Sequence, residues 1–335
     1  MALTICSLLL FLTGCKSDKD TSSTNIDSQS QPEVVYYTNS LTGEDVFTDE
    51  QKVYNRPVAV MINNISTAQP VQTGLTKADI VYETEVEGGI TRLLAVYKDI
   101  SSVEMLGTVR SARYAYIDLA MGHDAIYVHH GMDYTYAAPH LKDAQTFTLG
   151  TNNAGVRLKN GLASEHTLYG YGDKMWDYFA NHKYSTKLEK VESWQKFADK
   201  DTAITYESVA NTVTVPFSKG YRSVFKYDAE SGRYVRYYKD TLRKDYKTGE
   251  SEYFKNIFVL ETSIVDYPDG YHRKIDLSSG KGYYCVNGTY TPIKWAKGAA
   301  SSGFKFTLED GTPLEVNQGN SWVCIHGQKF APSFE

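Results

Sequence analysis

The pattern of strand, helix and turn signals changes near residue 203, and this change constrains the fold more than any other feature of the 335-residue chain. Before it, apolar runs of strand length such as residues 58–62 alternate with segments whose apolar residues recur at helical spacing. After it, short β-rich runs are separated by turn-forming pairs such as Asn287-Gly288 and Asp310-Gly311. The sequence therefore predicts an α+β fold, in which a layered α/β sheet domain precedes a mostly antiparallel β domain.

The N-terminus differs in composition from both regions. An uncharged apolar run is followed, between Lys16 and Pro32, by Ser, Asp, Thr, Gln and Lys with almost nothing to bury, which is typical of a solvated tether. We predict four segments: a lipoprotein signal peptide at 1–14, a flexible tether and lead-in segment at 15–54, the α/β domain at 55–202 and the β-rich domain at 203–335.

The apolar run ends in Leu12-Thr13-Gly14-Cys15, the pattern of a bacterial lipobox. The run is about half the ~20 residues that a membrane-spanning helix needs, which indicates a secretory signal. Cleavage before Cys15 leaves a thiol for diacylation, and two acyl chains anchor a protein stably. We therefore expect a protein lipid-anchored at the extracytoplasmic face of a bacterial cell membrane. Residues 1–7 lack the usual Lys or Arg, so we expect the natural start to lie upstream.

Composition excludes some partners and leaves one question open. The net charge of −5 argues against nucleic acid, because phosphate binding needs a clustered basic surface. The sequence contains no phosphate loop, calcium loop, zinc motif or nucleophile motif, so we predict no metal and no cofactor. Cys285 and Cys324 form a disulfide or remain as two small buried thiols, and the sequence does not choose between these.

Three glutamates alternate along the second predicted strand. Glu83, Glu85 and Glu87 would share one face, where three neighbouring carboxylates need cations, water or a ligand. If Gly88-Gly89 forms a two-residue turn, Glu85 lies directly opposite Arg92 on the next strand. The sequence therefore predicts a polar cluster at this hairpin.

Two arginines and two histidines extend this cluster. Arg110 and Arg113 can supply further positive charge, and His130 and His166 are candidate proton donors or acceptors. One interpretation is a site in which carboxylates of unequal pKa act as general acid and base; the other is a structural network of ion pairs. The catalytic candidates are Glu83, Glu87, His130 and His166. The ligand-binding candidates are Glu83, Glu85, Arg92, Arg110 and Arg113.

Several stretches resemble a known family. They include Arg56-Pro57-Val58-Ala59-Val60-Met61, Asn63-Asn64, His129-His130-Gly131 and, in the second region, Tyr227-Asp228. Together they resemble the YerB-like lipoproteins of Gram-positive bacteria. The resemblance covers nearly the whole mature body and implies an α/β unit followed by a β-rich unit, without implying a reaction.

We expect a lipid-anchored extracytoplasmic protein that binds a cell-envelope component or protein partner through a polar cleft lined by Arg and Glu. The expected contacts are the membrane, through the N-terminal lipid, and a cell-wall polymer or an envelope protein. The alternative is a hydrolase or transferase that acts on cell-wall polysaccharide with paired carboxylates, so whether the protein is an enzyme stays open. A third possibility is a structural assembly factor whose β domain is the contact surface.

Overall fold

A computed structural model describes residues 34–335. The predicted signal peptide and Cys15 lie outside the described residues. Strands account for 39% of the structure and helices for 14%, which confirms the predicted α+β class. Within residues 34–335, helices that combine the length and the hydropathy needed to cross a membrane are absent.

Eleven strands and three α-helices lie before residue 203. The strands are β1 (Tyr37–Thr38), β2 (Asp45–Phe47), β3 (Val58–Asn63), β4 (Ile80–Glu85), β5 (Thr91–Tyr97), β6 (Leu106–Gly107), β7 (Ile126–His129), β8 (Thr146–Thr148), β9 (Gly155–Arg157), β10 (Leu168–Gly170) and β11 (Lys196–Phe197). The helices are α1 (Tyr114–Met121), α2 (Ala137–Leu141) and α3 (Gly172–Ala180).

The remaining described chain contains strands and no α-helix, as the turn-rich sequence predicts. They are β12 (Ser208–Val209), β13 (Thr212–Pro216), β14 (Arg222–Asp228), β15 (Arg233–Tyr238), β16 (Thr241–Leu242), β17 (Tyr253–Phe254), β18 (Asn256–Thr262), β19 (Ile264–Asp266), β20 (Arg273–Ile275), β21 (Ser279–Val286), β22 (Thr289–Ala296), β23 (Lys305–Leu308), β24 (Glu315–Val316), β25 (Ser321–Gly327) and β26 (Ser333–Phe334).

One mixed sheet of eleven strands runs through the molecule. Its order is β12-β22-β21-β18-β25-β4-β5-β3-β7-β8, with β23 paired to β22. Within this sheet, the strands that precede residue 203 meet those that follow it in the parallel pair of β25 with β4. The 202/203 boundary stays a prediction, since the strands on its two sides share this sheet.

A second sheet has the order β16-β15-β14-β13-β26, with β17 paired to β15. Its pairings are all antiparallel, as expected for the C-terminal region. Its core residue Phe225 packs against Trp322 of the large sheet with 5.6 Å between ring centroids. The two sheets therefore share one hydrophobic core on this side of the large sheet.

None of the three α-helices in the described residues has a side-chain hydrogen bond from its N-cap residue. Helix α1 begins at Tyr114, after Arg113, and ends at the C-cap residue Gly122. Asp133 accepts hydrogen bonds from the backbone N–H groups of Thr135, Tyr136 and Ala137 ahead of α2. These local bonds hold the turn that leads into α2.

The turn after β4 differs from the prediction. It contains three residues, Glu87–Gly89, with the backbone N–H of Val86 donating to the carbonyl of Ile90. The extra residue shifts the register, so that Arg92 pairs with Thr84 and Glu85 pairs with Thr91. The predicted Glu85–Arg92 pairing is therefore wrong, because a two-residue turn was assumed.

Candidate functional site

Seven strands of the large sheet run in the same direction: β22, β18, β25, β4, β3, β7 and β8. Their carboxyl ends therefore meet at one edge of the sheet, which we call the carboxyl edge. In open α/β sheets, ligands bind outside the carboxyl ends of the strands. Glu85, Glu87 and His130 all lie at or just beyond this edge.

Glu83 lies two residues before Glu85, the last residue of β4, and is fully buried. Its carboxylate accepts hydrogen bonds from Thr91 Oγ1 (2.7 Å), Ser223 Oγ (2.7 Å), Asn64 Nδ2 (3.0 Å) and Trp322 Nε1 (3.1 Å). Desolvation raises the pKa of this carboxyl group, although the charge of Arg236 and the donors oppose the rise. A carboxyl group enclosed in this way positions its neighbours and does not face a substrate.

The hydrogen-bond network around Glu83 joins the two sequence regions. Asn64 Oδ1 accepts from Arg236 Nη2 (2.9 Å) and from Gln72 Nε2 (3.0 Å). Arg236 also donates to Glu252 Oε2 (2.8 Å) in an ion pair whose side chains are both 1% exposed. The guanidinium group lies 4.5 Å from the Trp322 ring centroid. The network stabilises the packing of the small sheet on the large one.

Glu87 lies on the other side of the sheet from Glu83. Arg92 pairs with Thr84, so its side chain projects opposite to that of Glu83, and it meets Glu87 at 3.2 Å. Arg113 forms two hydrogen bonds to the same carboxylate, one of them of 2.8 Å from Nε. Burial alone would raise the pKa of Glu87, but the Arg113 bonds and the two positive charges lower it to about 2. Glu87 is therefore a fixed anion between two arginines.

Glu85 meets an arginine that the sequence did not indicate. Arg273 Nε on β20 donates to Glu85 Oε1 over 2.8 Å, and the same guanidinium group forms an ion pair with Asp266. Desolvation raises the pKa of Glu85, although Arg273 opposes the rise. Because Arg273 is 188 residues away in the chain, no local pattern could have found this pair.

His166 and Arg110 lie together in a separate group. Asn63 Nδ2 donates to His166 Nδ1 over 2.8 Å, an orientation supported by the Ile65 backbone N–H, which donates to Asn63 Oδ1. The proton of the neutral ring is then on Nε2, 3.9 Å from the Glu165 carboxylate. Arg110 reaches the same carboxylate at 3.6 Å. No prediction from the sequence connected Asn63 with His166, although a polar residue at the end of the buried strand β3 is a local signal for such a partner.

Both ring nitrogens of His130 have partners. His130 Nδ1 contacts the Leu149 carbonyl at 2.7 Å, and Arg157 Nη2 contacts Nε2 at 3.1 Å. The carbonyl requires the proton on Nδ1, so Nε2 accepts from the guanidinium group. The Nδ1 atom of neighbouring His129 lies 2.8 Å from the Gly131 carbonyl oxygen. The structure thus distributes the predicted residues over separate groups and does not gather them around one pocket.

A groove of ≈ 780 Å³ opens at the carboxyl edge beside Glu85. We call it the carboxyl-edge groove. Four connections form its walls: the turns after β4 and β13, the β18–β19 link and the chain after β25. Ser218 Oγ donates to the Gly89 carbonyl over 2.7 Å and holds the first two walls together. The charged residues that line it are Glu85, Lys219, Asp266, Arg273 and Lys329.

The carboxyl-edge groove has the size of a ligand site, since such sites usually enclose roughly 300–1,000 Å³. Its two carboxylates, Glu85 and Asp266, are both paired with Arg273. Lys219 and Lys329 have no carboxylate within ion-pair distance among residues 34–335, so the groove carries uncompensated positive charge. A search of the same residues finds no group of three His, Cys, Asp or Glu side chains that could hold a metal ion.

Comparison with known proteins gives matches over most of the chain. Residues 41–185 match the family described as "Protein of unknown function (DUF3048) N-terminal domain", and residues 213–323 match its C-terminal domain. A Bacillus subtilis (strain 168) protein named YerB, described as a candidate lipoprotein, is 32% identical over 300 residues, or 85% of each chain.

A solved structure gives the same result. The crystal structure of the Bacillus subtilis YerB protein superimposes with a TM-score of 0.75 at 28% sequence identity. The match covers 89% of this chain and 99% of that one. The two domain matches, the YerB relative and its crystal structure all indicate the same family. This chain therefore belongs to the DUF3048 family, that of the YerB-like lipoproteins.

Proposed function

We propose that this protein is a lipid-anchored extracytoplasmic binding protein that holds a cell-envelope component in the carboxyl-edge groove. One observation carries the proposal: a groove of ≈ 780 Å³ lies at the carboxyl edge, and its two lysines have no carboxylate within ion-pair distance among the described residues. A binding role needs no general acid and base in reach of each other, and the candidate carboxylates Glu83 and Glu87 lie on opposite sides of the sheet. The relative's description as a candidate lipoprotein supports the location.

The alternative role as a hydrolase or transferase gains no support from the geometry. Its general acid and base would come from Glu83, Glu87, His130 and His166. Glu83 is enclosed by packed donors, and Glu87 lies on the opposite side of the sheet between two arginines. A glycosidase needs both carboxyl groups to face the same bond, at roughly 5–10 Å from each other. We therefore retain the binding role.

The test is retention of envelope material by the full-length chain in detergent. A bulky residue introduced by Ser263→Trp would fill part of the groove, because Ser263 is exposed on its wall. The matched control is Ser301→Trp, at an exposed serine on a different loop. We expect the first variant to lose bound envelope material and the second to retain it. Equal retention by both variants would contradict the proposal, as would turnover of a wall polymer by the pure protein.

A further inference from the structure

Four tyrosines gather beside the carboxyl-edge groove. We call Tyr114, Tyr136, Tyr267 and Tyr271 the tyrosine shelf. Tyr136 and Tyr267 stack with 3.8 Å between ring centroids and 20° between planes, and Tyr114 meets Tyr267 edge-on at 6.3 Å. The rings come from α1, the β7–α2 connection and the β19–β20 hairpin. Three separate elements thus present aromatic rings at one place.

The tyrosine shelf is held in place by polar groups and remains partly exposed. His272 lies 5.5 Å from the Tyr136 ring and 5.0 Å from the Tyr271 ring, and its Nδ1 meets Asp269 at 2.7 Å. Asp133, which caps the chain before α2, lies 3.5 Å from the other nitrogen of His272. Tyr271 keeps 56% of its surface exposed. Rigid, half-exposed aromatic rings are typical of recognition surfaces.

The tyrosine shelf and the carboxyl-edge groove adjoin each other at the Glu85–Arg273 ion pair. Glu85 and Arg273 line both the groove and the small cavity beneath the shelf. That cavity measures ≈ 20 Å³, which is room for about one water molecule and too little for a peptide side chain. The shelf therefore offers flat ring surfaces, whereas the groove offers depth and positive charge.

Resting on the function proposed above, we propose that the ligand is an acidic glycan. The C–H faces of sugar rings pack on the flat tyrosines, and sugar hydroxyl groups hydrogen-bond to the charged side chains at the rim. The acidic substituents of the glycan, phosphate or carboxylate, neutralise Lys219 and Lys329, which have no carboxylate partner among residues 34–335. An acidic peptide would also satisfy the lysines, but the cavity lined by the shelf tyrosines is too small to receive one of its side chains.

Competition with the full-length chain in detergent tests the ligand class. The probes are wall glycan that carries its phosphate polymer, the same glycan after chemical removal of that polymer, a neutral chitin oligosaccharide and polyglutamate. Competition by the first probe alone identifies a sugar phosphate, and competition by the first two identifies glycan carboxylates. Stronger competition by polyglutamate or by the neutral oligosaccharide would overturn the proposal.

Two sets of variants separate the roles of shelf and groove. We expect the Lys219→Gln and Lys329→Gln double variant to weaken glycan binding roughly tenfold and to reduce its salt dependence. Tyr267→Ala should weaken binding by a similar factor at every salt concentration, with Tyr271→Ala as a second variant that removes an exposed ring. The matched controls are Lys305→Gln and Tyr246→Ala, at exposed residues that line neither cavity. Unchanged binding by both sets would contradict the proposal.

Different results would show that the glycan assignment is wrong and that the binding site is wrong. If Ser263→Trp removes bound envelope material but no acidic glycan competes, the groove holds another component and only the glycan assignment is wrong. If Ser263→Trp leaves envelope retention intact, the binding site lies elsewhere and both are wrong.

Discussion

The indole Nε1 of Trp322 donates a 3.1 Å hydrogen bond to Oε2 of Glu83, across 239 residues of chain. The bond crosses from β25 to β4, where the strands of the two sequence regions meet. Both side chains are fully buried, and the same carboxylate also holds Ser223 of the small sheet. Glu83 therefore ties three parts of the fold together.

Replacement of Glu83 should destabilise the protein in proportion to the hydrogen bonds lost. Glu83→Ala leaves four buried donors without their acceptor and removes a negative charge that interacts with Arg236, and we expect a loss of about 3–5 kcal/mol in the free energy of unfolding. Glu83→Gln keeps one acceptor oxygen, so its loss should be about 1–3 kcal/mol. Urea unfolding measures both, with exposed Glu230→Gln as the unchanged control. A stable Glu83→Ala variant would disprove the structural role.

The stability of the fold should depend on pH through Asp79. Its carboxylate accepts from Asn39 Nδ2 (2.8 Å) and from the Lys98 backbone N–H (2.6 Å), and desolvation raises its pKa to about 7. When a carboxyl group has a higher pKa in the folded protein than in the unfolded chain, its protonation stabilises the fold at pH values below the unfolded pKa. This stabilisation is lost as the pH rises through the folded pKa. The wild type should therefore lose stability relative to Asp79→Asn between about pH 4 and pH 7. Unfolding midpoints of both proteins at several pH values check this, and parallel curves would refute it.

Helix α3 should not tolerate a side chain at its first residue. A Cβ atom on Gly172 would lie 2.1 Å from the Ile100 carbonyl oxygen and 2.4 Å from that of Val103. These are backbone atoms that cannot rotate away, so Gly172→Ala should cost roughly 3 kcal/mol. Gly220→Ala is the matched control, because nothing lies within 4 Å of the added methyl group. Thermal unfolding of both variants measures the difference, and equal midpoints would contradict the expectation.

Cys285 and Cys324 are free thiols, which answers the question that the sequence leaves open. They lie on β21 and β25, with β18 between them, and two strand spacings of about 4.8 Å exceed the ~7 Å limit for a disulfide. Burial raises the pKa of both thiols. We expect no alkylation of either cysteine in the native protein and full alkylation after unfolding, mapped by peptide mass spectrometry. Incomplete alkylation of unfolded, unreduced protein would indicate a bridge.

Much of the fold follows from local sequence patterns. The buried strand β3, the cap at Asp133 and the end of α1 at Gly122 were predictable, because each depends on neighbours within a few residues. The register of β4 with β5 was not, since one additional turn residue reverses which side chains face each other. The parallel pairing of β25 with β4 lies beyond any local pattern.

The candidate site was predictable only in part. The sequence identified Glu85 and Glu87 as charged residues near a turn, and the structure places both at the carboxyl edge. It missed Arg273, Lys219 and Lys329, because these come to the groove from distant loops. It also grouped Glu83 with Glu87, although the extra turn residue turns Glu87 toward Arg92 and Arg113, away from the face of Glu83.

The insertion of β25 beside β4 sets an order on the folding of the large sheet. Until β25 pairs with it, β4 has a hydrogen-bonding partner on the β5 side only, and its other edge remains open. The strands of the first region therefore complete their sheet only when a strand from the far end of the described chain has docked. A chain that lacks β25 exposes unpaired backbone donors and acceptors, to which strands of other chains can bind, so loss of this strand favours aggregation.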